Sequence, residues 1–442
     1  EEMTTDGVNV RELALGILLA VTKNGENSHT VLSAVLEKYQ YLSRQERGFL
    51  TRLTEGTLER QLELDYIIGL FTRTRVTKLK PAIREILRMG VYQLRYMDAV
   101  PASAACNEAV RLAGKKGFVS LKGFVNGVMR GIARNLDTIA YPDETKHPLY
   151  AWSIRYSIPE WILTRWSRDY GMQKAKSIAE SFQKERRLSV RVNRTKTTRR
   201  ELIQRLSERG ITAECAVLPS FPEFDAALYL SGYDHLTAIP EFTEGLFAVQ
   251  DISSMLVVPV ASPHPGDYGI DVCSAPGGKS LHAADVMGGT GMVEARDVSE
   301  YKTGLIEENI RRCGMRNIRV VCQDARVWDA DSSDAADVVI ADLPCSGLGT
   351  LRKKPEIRYR MTEETIEGLI RLQREILEVS CRYVKPGGTL VFSTCTIDGE
   401  ENEENTRWFL ECHTGFSLAF QRQFFPDEGE FDGFYIAKFI RE

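Results

Sequence analysis

Five short apolar runs, at residues 269–273, 291–297, 318–322, 338–342 and 389–393, recur in the second half of this chain with helical stretches between them. Hydrophobicity that is continuous rather than alternating marks strands buried on both faces. Strands of that kind separated by helices point to a parallel sheet wrapped on both sides. From Phe247 onward the expected fold is therefore α/β and Rossmann-like, with a doubly wound sheet, and residues 433–440 supply a late strand. In such a sheet ligands lie at the carboxyl ends of the strands, so the residues that follow each run carry the chemistry.

The first half has a different period. From Val8 to Asn135 apolar residues return at helical spacing, as in Val10, Leu13, Ala14, Ile17, Leu18 and Val21, or Ile83, Ile86, Leu87, Gly90, Val91 and Leu94. Ser43 caps a helix starting at Arg44, Pro81 suits a first helical position, and a further helix starts near Pro101, so five to seven helices are expected. Residues 141–148 are polar and carry two prolines, which sets a boundary. Residues 188–193 alternate, with Ser189, Arg191 and Asn193 on one face and Val190 and Val192 on the other. At 442 residues about three domains are predicted: an all-α domain at 1–145, a small α+β linker at 146–246, and the α/β domain at 247–442.

The net charge of −4 hides an asymmetry: residues 1–250 hold 36 Lys and Arg against 29 Asp and Glu, and the remainder 21 against 32. Basic stretches at 73–134 and 155–209 predict a polyanionic partner for the first half, and the polar face carrying Arg191 and Asn193 is a candidate surface for it. Nine cysteines with no C-x-x-C pair argue against a disulfide framework and fit a reducing cytoplasm. Six scattered histidines give no ligand set, so no metal is expected. The longest apolar run, 13–21, is too short to span a membrane and reads as neither an anchor nor an export leader.

Four loops carry candidate chemistry. The first strand runs into Cys273-Ser274-Ala275-Pro276-Gly277-Gly278-Lys279, a small-residue turn before a helix expected from about Leu281. It matches neither the P-loop nor the dinucleotide spacing, so something other than pyrophosphate is expected there. Asp297, Asp324 and Asp342 follow successive strands and converge on one cleft. An acid after the second strand suits a ribose diol and Asp324 an adenine amino group, features that suit S-adenosylmethionine. Cys345, in Asp342-Leu343-Pro344-Cys345, and Cys395, in Ser393-Thr394-Cys395-Thr396, open onto the same crevice and form a candidate reactive pair. Buried, inert thiols are expected for Cys106, Cys273, Cys313, Cys322, Cys381 and Cys412. Arg352, Lys353, Lys354, Arg358 and Arg360 make a basic island in an acidic domain, placed to hold phosphates beside a target base.

Together the C-S-A-P-G-G-K loop, the D-L-P-C-S-G-L-G run, K-P-E-I-R-Y-R, G-G-T-L-V-F-S-T-C-T, Glu400-Glu401-Asn402-Glu403 and Asp432-Gly433-Phe434 resemble the RNA cytosine-5 methyltransferases of the Nol1/Nop2/Sun family. Residues 87–93, 100–110 and 124–130 resemble the NusB-like RNA-binding domain, a combination similar to the bacterial enzymes acting on 16S ribosomal RNA. The resemblance implies that Cys395 attacks carbon 6 of cytosine, that Cys345 assists release of the adduct, and that Asp342 contacts both cofactor and base. It also implies that residues 273–279, Asp297 and Asp324 hold S-adenosylmethionine, and that the enzyme works as a monomer on naked RNA or an assembling subunit. Ser274, Leu343 and Tyr359 depart from the usual Ala, Ala and Trp. Other readings left by the residues are a transfer RNA or different ribosomal target, attack by Cys345 instead of Cys395, and an RNA-binding protein with an inert methylase fold. Amino-group methylation is disfavoured because Cys345 stands where that chemistry wants an aromatic.

Overall fold

The structure, a computed structural model, describes residues 4–5 and 8–442. It divides into two compact units, Glu1–Gln183 with Leu351–Arg360, and Lys184–Thr350 with Met361–Glu442. These divisions differ from the boundaries expected from composition at 145 and 246. The first three helices of the expected linker, within residues 148–181, join the helical unit, whereas its strands and the helices Arg199–Glu208 and Pro240–Thr243 that pack on them join the sheet unit.

In the helical unit, β1 (Thr4–Thr5) and β2 (Val8–Asn9) pair antiparallel. They lead into α1 (Val10–Thr22), α2 (Ser28–Lys38), α3 (Arg44–Glu59), α4 (Gln61–Leu70), α5 (Pro81–Tyr96), α6 (Ala102–Lys115) and α7 (Lys122–Asn135). The boundaries have local causes. Ser43 and Glu46 form a reciprocal capping box on α3, and Pro81 opens α5 where its missing N–H costs nothing. The apolar faces close on one core that includes Leu15, Leu18, Leu50, Leu53, Ile86 and Met129. Three more helices, α8 (Pro148–Tyr156), α9 (Glu160–Tyr170) and α10 (Met172–Ser181), pack in series, α8 against α4.

The segment Leu351–Arg360 belongs to this unit, and its side chains meet helix ends. The Glu356 carboxylate accepts from the N–H of Ser28 at 3.0 Å and its hydroxyl at 2.7 Å, at the start of α2. The Tyr359 hydroxyl donates to the carbonyl of Glu59 at the end of α3. Arg358 donates to the carbonyl of Ser157, just past α8, at 3.2 Å and to that of Leu351 at 2.7 Å. Arg360 reaches the carbonyls of Val21 in α1 and Glu26 beyond it, both at 2.6 Å. An anion thus sits at a helix N-terminus and cations at helix C-termini, where unpaired backbone groups and the helix dipoles favour them. The expectation of a phosphate-holding basic island is corrected for Arg358, which is fully buried, and for Arg360, whose guanidinium is engaged by carbonyls. Lys353 and Lys354 are exposed and Arg352 is half-buried.

The second unit contains two sheets. Strands β3 (Leu188–Val192), β4 (Thr212–Cys215), β5 (Ala227–Ser231) and β6 (Phe247–Val249) form an antiparallel sheet in the order β4-β5-β3-β6. β3 is central and its alternation does not face solvent. Arg191 is buried, donating to Gln250 at 2.9 Å and pairing with Asp285 at 3.3 Å. Asn193 is also buried and donates to the carbonyls of Gly245 and Cys313. The expected nucleic-acid face is therefore corrected. This polar edge bonds to Asp285 in the helix Gly278–Val286 and to Cys313, the last residue of the helix Glu300–Cys313.

The larger sheet runs β7 (Tyr268–Asp271), β8 (Met292–Asp297), β9 (Ile318–Cys322), β10 (Ala336–Asp342), β11 (Val384–Thr394), β12 (Phe416–Phe424) and β13 (Phe434–Arg441). Its order is β12-β13-β11-β10-β7-β8-β9. The five expected runs pair in parallel, whereas β13 lies antiparallel to both β11 and β12. The sheet is mixed because the 416–424 hairpin partner, exposed along much of its length, gave no apolar run to read. From β7 the chain steps to β8 and β9 on one side and later to β10 and β11 on the other, which opens a crevice at the carboxyl end of β7.

Candidate functional site

Register aligns the acids at that end. Asp271 of β7 lies opposite Ala295 of β8, Asp297 ends β8, and Asp342 of β10 lies opposite Ser393 of β11. Between β7 and its helix the chain turns at residues 273–277. The Ser274 N–H donates to the Arg296 carbonyl at 2.8 Å and the Gly277 N–H to the Ser274 carbonyl at 2.6 Å. Gly277 has φ of +103°, a conformation that an L side chain rarely adopts, and a Cβ there would meet Ile306 at 3.2 Å. The helix starts at Gly278, one turn earlier than expected, and this puts Lys279 in its first turn.

Lys279 donates to Asp342 Oδ2 at 2.6 Å, and the Ser393 hydroxyl donates to Oδ1 at 2.8 Å, so both carboxylate oxygens are held. Burial disfavours the ammonium, but Asp342, Asp271 and Cys395 outweigh it and raise its pKa. Asp297 accepts from the N–H groups of Ala275 and Val298, both at 2.8 Å, and its Oδ1 also pairs with Lys302 at 3.3 Å, which leaves Oδ2 a lone pair for a hydroxyl donor. Asp324 lies just past β9 and is held by Arg326, whose N–H and guanidinium lower its pKa. Three acceptor carboxylates, one ammonium and a close-approach glycine turn make a donor set that fits S-adenosylmethionine, with its ribose hydroxyls, adenine amino group and amino-acid carboxylate.

Asp271 was not singled out by the sequence. It is fully buried under the turn, accepts from Ser280 Oγ at 2.8 Å, and burial pushes it up to about 6. Because the folded state holds this proton more tightly than the unfolded chain, its stabilising contribution is complete below about pH 4 and is lost as pH rises towards 6. Asp271→Asn removes that dependence. Melts across this window should show the parent losing up to about 3 kcal/mol more than the variant; superimposable pH profiles would rule Asp271 out as the source.

The two singled-out cysteines meet. Cys345 Sγ and Cys395 Sγ are 3.4 Å apart, neither fully exposed nor fully buried as residues. The bond to Cys395, followed by burial and the charge of Glu401, raises the pKa of Cys345 well above that of an ordinary thiol. Either sulfur can donate in the bond between them. Of the thiols expected to be inert and buried, Cys106, Cys313 and Cys381 are buried. Cys273 is half-buried, with burial and the acids around it holding its proton on. Cys322 and Cys412 are exposed, a correction that follows from Cys322 ending the edge strand β9 and Cys412 lying at the exposed end of the helix Glu403–Cys412.

Around the pair lies a set of buried polar groups that spacing did not foretell. Glu401 accepts from the Ser346 N–H at 2.9 Å, from its hydroxyl, and from Gln373 at 3.0 Å. Thr396 bonds to Ser346 Oγ at 2.6 Å and accepts from the Leu348 N–H at 3.1 Å. The Gly349 N–H donates to the Cys395 carbonyl at 3.1 Å, and a Cβ at Gly349 would lie 2.0 Å from the Gly433 carbonyl oxygen. The Glu400-Glu401-Asn402-Glu403 run was visible, but nothing in the sequence indicated that it folds back onto residue 346.

Fold and site together define a class, the methyltransferases that use S-adenosylmethionine. Family models match along the chain: one described as 16S rRNA methyltransferase RsmB/F at residues 258–440, the NusB family at 8–134, and an RsmF/B-like ferredoxin-like domain at 158–223. The probable ribosomal RNA small subunit methyltransferase B of Bacillus subtilis (strain 168) is 34% identical over 409 residues, 92% of this chain and 89% of that protein. The ribosomal RNA small subunit methyltransferase B of Escherichia coli O1:K1 / APEC is 30% identical over 446 residues, 98% of this chain and 99% of that one. The crystal structure of PH0851 superposes with a TM-score of 0.82 at 25% identity, covering 99% of this chain and 100% of its own. The chain belongs to the RsmB/F family of 16S rRNA methyltransferases, and its cofactor is S-adenosylmethionine.

Proposed function

We propose that this enzyme methylates carbon 5 of a cytosine in 16S ribosomal RNA through a transient bond between Cys395 and carbon 6 of the base. The observation that carries the reading is the 3.4 Å approach of Cys345 and Cys395, beside an aspartate held at both oxygens by Lys279 and Ser393. Relatives named as small-subunit ribosomal RNA methyltransferases support the substrate class.

Carbon 5 of cytosine is a weak nucleophile until carbon 6 accepts an electron pair. Cys395, which lies near the Lys279 ammonium, is the sulfur suited to supply that pair, its own proton passing to solvent. Asp342 has its carboxylate oriented by two donors and accepts from the N4 amino group of the base, while N3 takes a proton from solvent as charge builds on the ring and returns it when aromaticity is restored. S-adenosylmethionine, when bound, supplies an electrophilic methyl group, and Asp297, Asp324 and the 273–279 turn are the groups that hold it. Once Cys395 is bound to carbon 6, Cys345 gives its proton to solvent and its thiolate accepts the C5 proton; the C–H pair reforms the C5–C6 double bond, and Cys395 departs with the C6–S bonding pair. The target base has to be unstacked to reach the thiols, which favours a single-stranded or opened site. Lys353 and Lys354, with Arg352, contact phosphates of the RNA. The enzyme acts as a cytoplasmic monomer, on naked RNA or on an assembling subunit.

The test is transfer of labelled methyl groups to naked 16S RNA, assembled small subunits and transfer RNA, with the modified base mapped. Labelled 5-methylcytosine in 16S RNA is expected. Label on transfer RNA alone, or on an exocyclic nitrogen, would overturn the assignment.

A further inference from the structure

The reaction needs two thiols on separate loops, one after β10 and one after β11, to stay within van der Waals reach while a base enters and leaves. Neither loop is regular structure, so something else must fix them. The residue that follows each cysteine is completely buried and polar, Ser346 after Cys345 and Thr396 after Cys395. These two hydroxyls bond to each other at 2.6 Å.

The direction of the bonds is settled by their ends. The Leu348 N–H can only donate, and Thr396 Oγ1 accepts from it at 3.1 Å. Thr396 then donates to Ser346 Oγ and Ser346 donates to Glu401 Oε2, so that every proton in the series has an acceptor. Reversing the series with a protonated Glu401 would leave the Thr396 hydroxyl proton without a partner in this network, at a buried site where an unmade bond is costly. The carboxylate end is fixed in turn. Oε1 accepts from the Ser346 N–H and from Gln373, whose amide also donates to the Pro344 carbonyl at 2.9 Å. Asn405 donates to Gln373 Oε1 at 2.8 Å and to the Glu401 carbonyl at 3.0 Å. Glu401 therefore bonds to the residue after Cys345 and, through Gln373, to the residue before it.

We propose that Glu401 is a positioning residue, which through Ser346 and Thr396 holds the Cys345 loop against the Cys395 loop and so governs release of the covalent intermediate more than its formation. This rests on the two-cysteine reading above. Glu401 lies six residues beyond Cys395 on the same loop and reaches across to the Cys345 loop, directly at the Ser346 N–H and hydroxyl and through Gln373 at the Pro344 carbonyl. Loosening it displaces the releasing thiol first, while Cys395 directly follows Thr394, the last residue of β11, which pairs with Tyr435 of β13.

Single variants Ser346→Ala, Thr396→Val and Glu401→Gln separate this from simple loss of fold, since the first two remove one hydroxyl each. Each is to be compared with Cys345→Ala for cofactor binding, turnover on 16S RNA, and the fraction of protein carried with RNA through denaturing electrophoresis. The expected result is cofactor binding like the parent, turnover reduced on the order of tenfold to a hundredfold, and denaturation-resistant protein–RNA complex in amounts between those of the parent and Cys345→Ala. Parent-like turnover in all three, a fall in turnover with no adduct, or lost cofactor binding in all three would each overturn the assignment. If Cys345→Ala itself gives no adduct, the two-cysteine reading fails, and this proposal with it; if only Cys345→Ala gives adduct, the reading stands and the role of Glu401 falls.

Discussion

Cys395→Ala is expected to bind S-adenosylmethionine normally and to transfer no measurable methyl group, a loss of roughly a thousandfold or more, as when a covalent nucleophile is removed from an otherwise intact site. The cofactor groups, Asp297, Lys279 and the 273–279 turn, make their recorded bonds without the Cys395 side chain, so binding should survive. Cys345→Ala should behave in the opposite sense. Attack at carbon 6 needs only Cys395, so the adduct forms and accumulates, and the gel shows a protein–RNA band that resists denaturant. The pair of outcomes matters more than either alone. Were Cys395→Ala to give the trapped band and Cys345→Ala to be blank, the thiols would have exchanged roles.

Arg358→Ala should cost the helical unit about 3 kcal/mol or more. The guanidinium is fully buried, and its removal leaves a cavity and strips donors from the carbonyls of Ser157 and Leu351. A change of that size corresponds to a melting shift of about 6 °C or more in a domain of this length. Arg358→Lys, which lacks the planar fork, should recover only part of it. A shift below about 1 °C for Arg358→Ala would mean that residues 351–360 do not dock as described.

How much of this was legible in the sequence depended on whether an effect was local. Strand runs, the capping box at Ser43 and Glu46, and Pro81 at a helix start are set by neighbouring residues and appear as expected. The approach of residues 345 and 395 also follows from topology, since both follow adjacent parallel strands. Burial of polar groups was illegible. Arg191 and Asn193 sit on a strand whose alternation reads as wet, yet Asp285, Gln250 and the Cys313 carbonyl receive them. Arg358 and Arg360 looked like phosphate ligands because their partners are backbone carbonyls, which carry no sequence signature. β12 was missed because an edge strand with exposed residues has no period to distinguish it from loop.

The stretch Leu351–Arg360 begins six residues after Cys345 and counts among the helical unit, so the polypeptide passes between the units three times: after residues 183, 350 and 360. Severing the chain near residue 183 therefore does not yield two self-sufficient pieces. The carboxyl-terminal fragment would carry Pro355, Glu356 and Arg358, all buried in the whole chain, into water without the helix ends that receive them. The amino-terminal fragment would in turn lose the plug that quiets those ends. Attempts to transplant the catalytic half onto another RNA-binding module thus have to carry a matching socket with them.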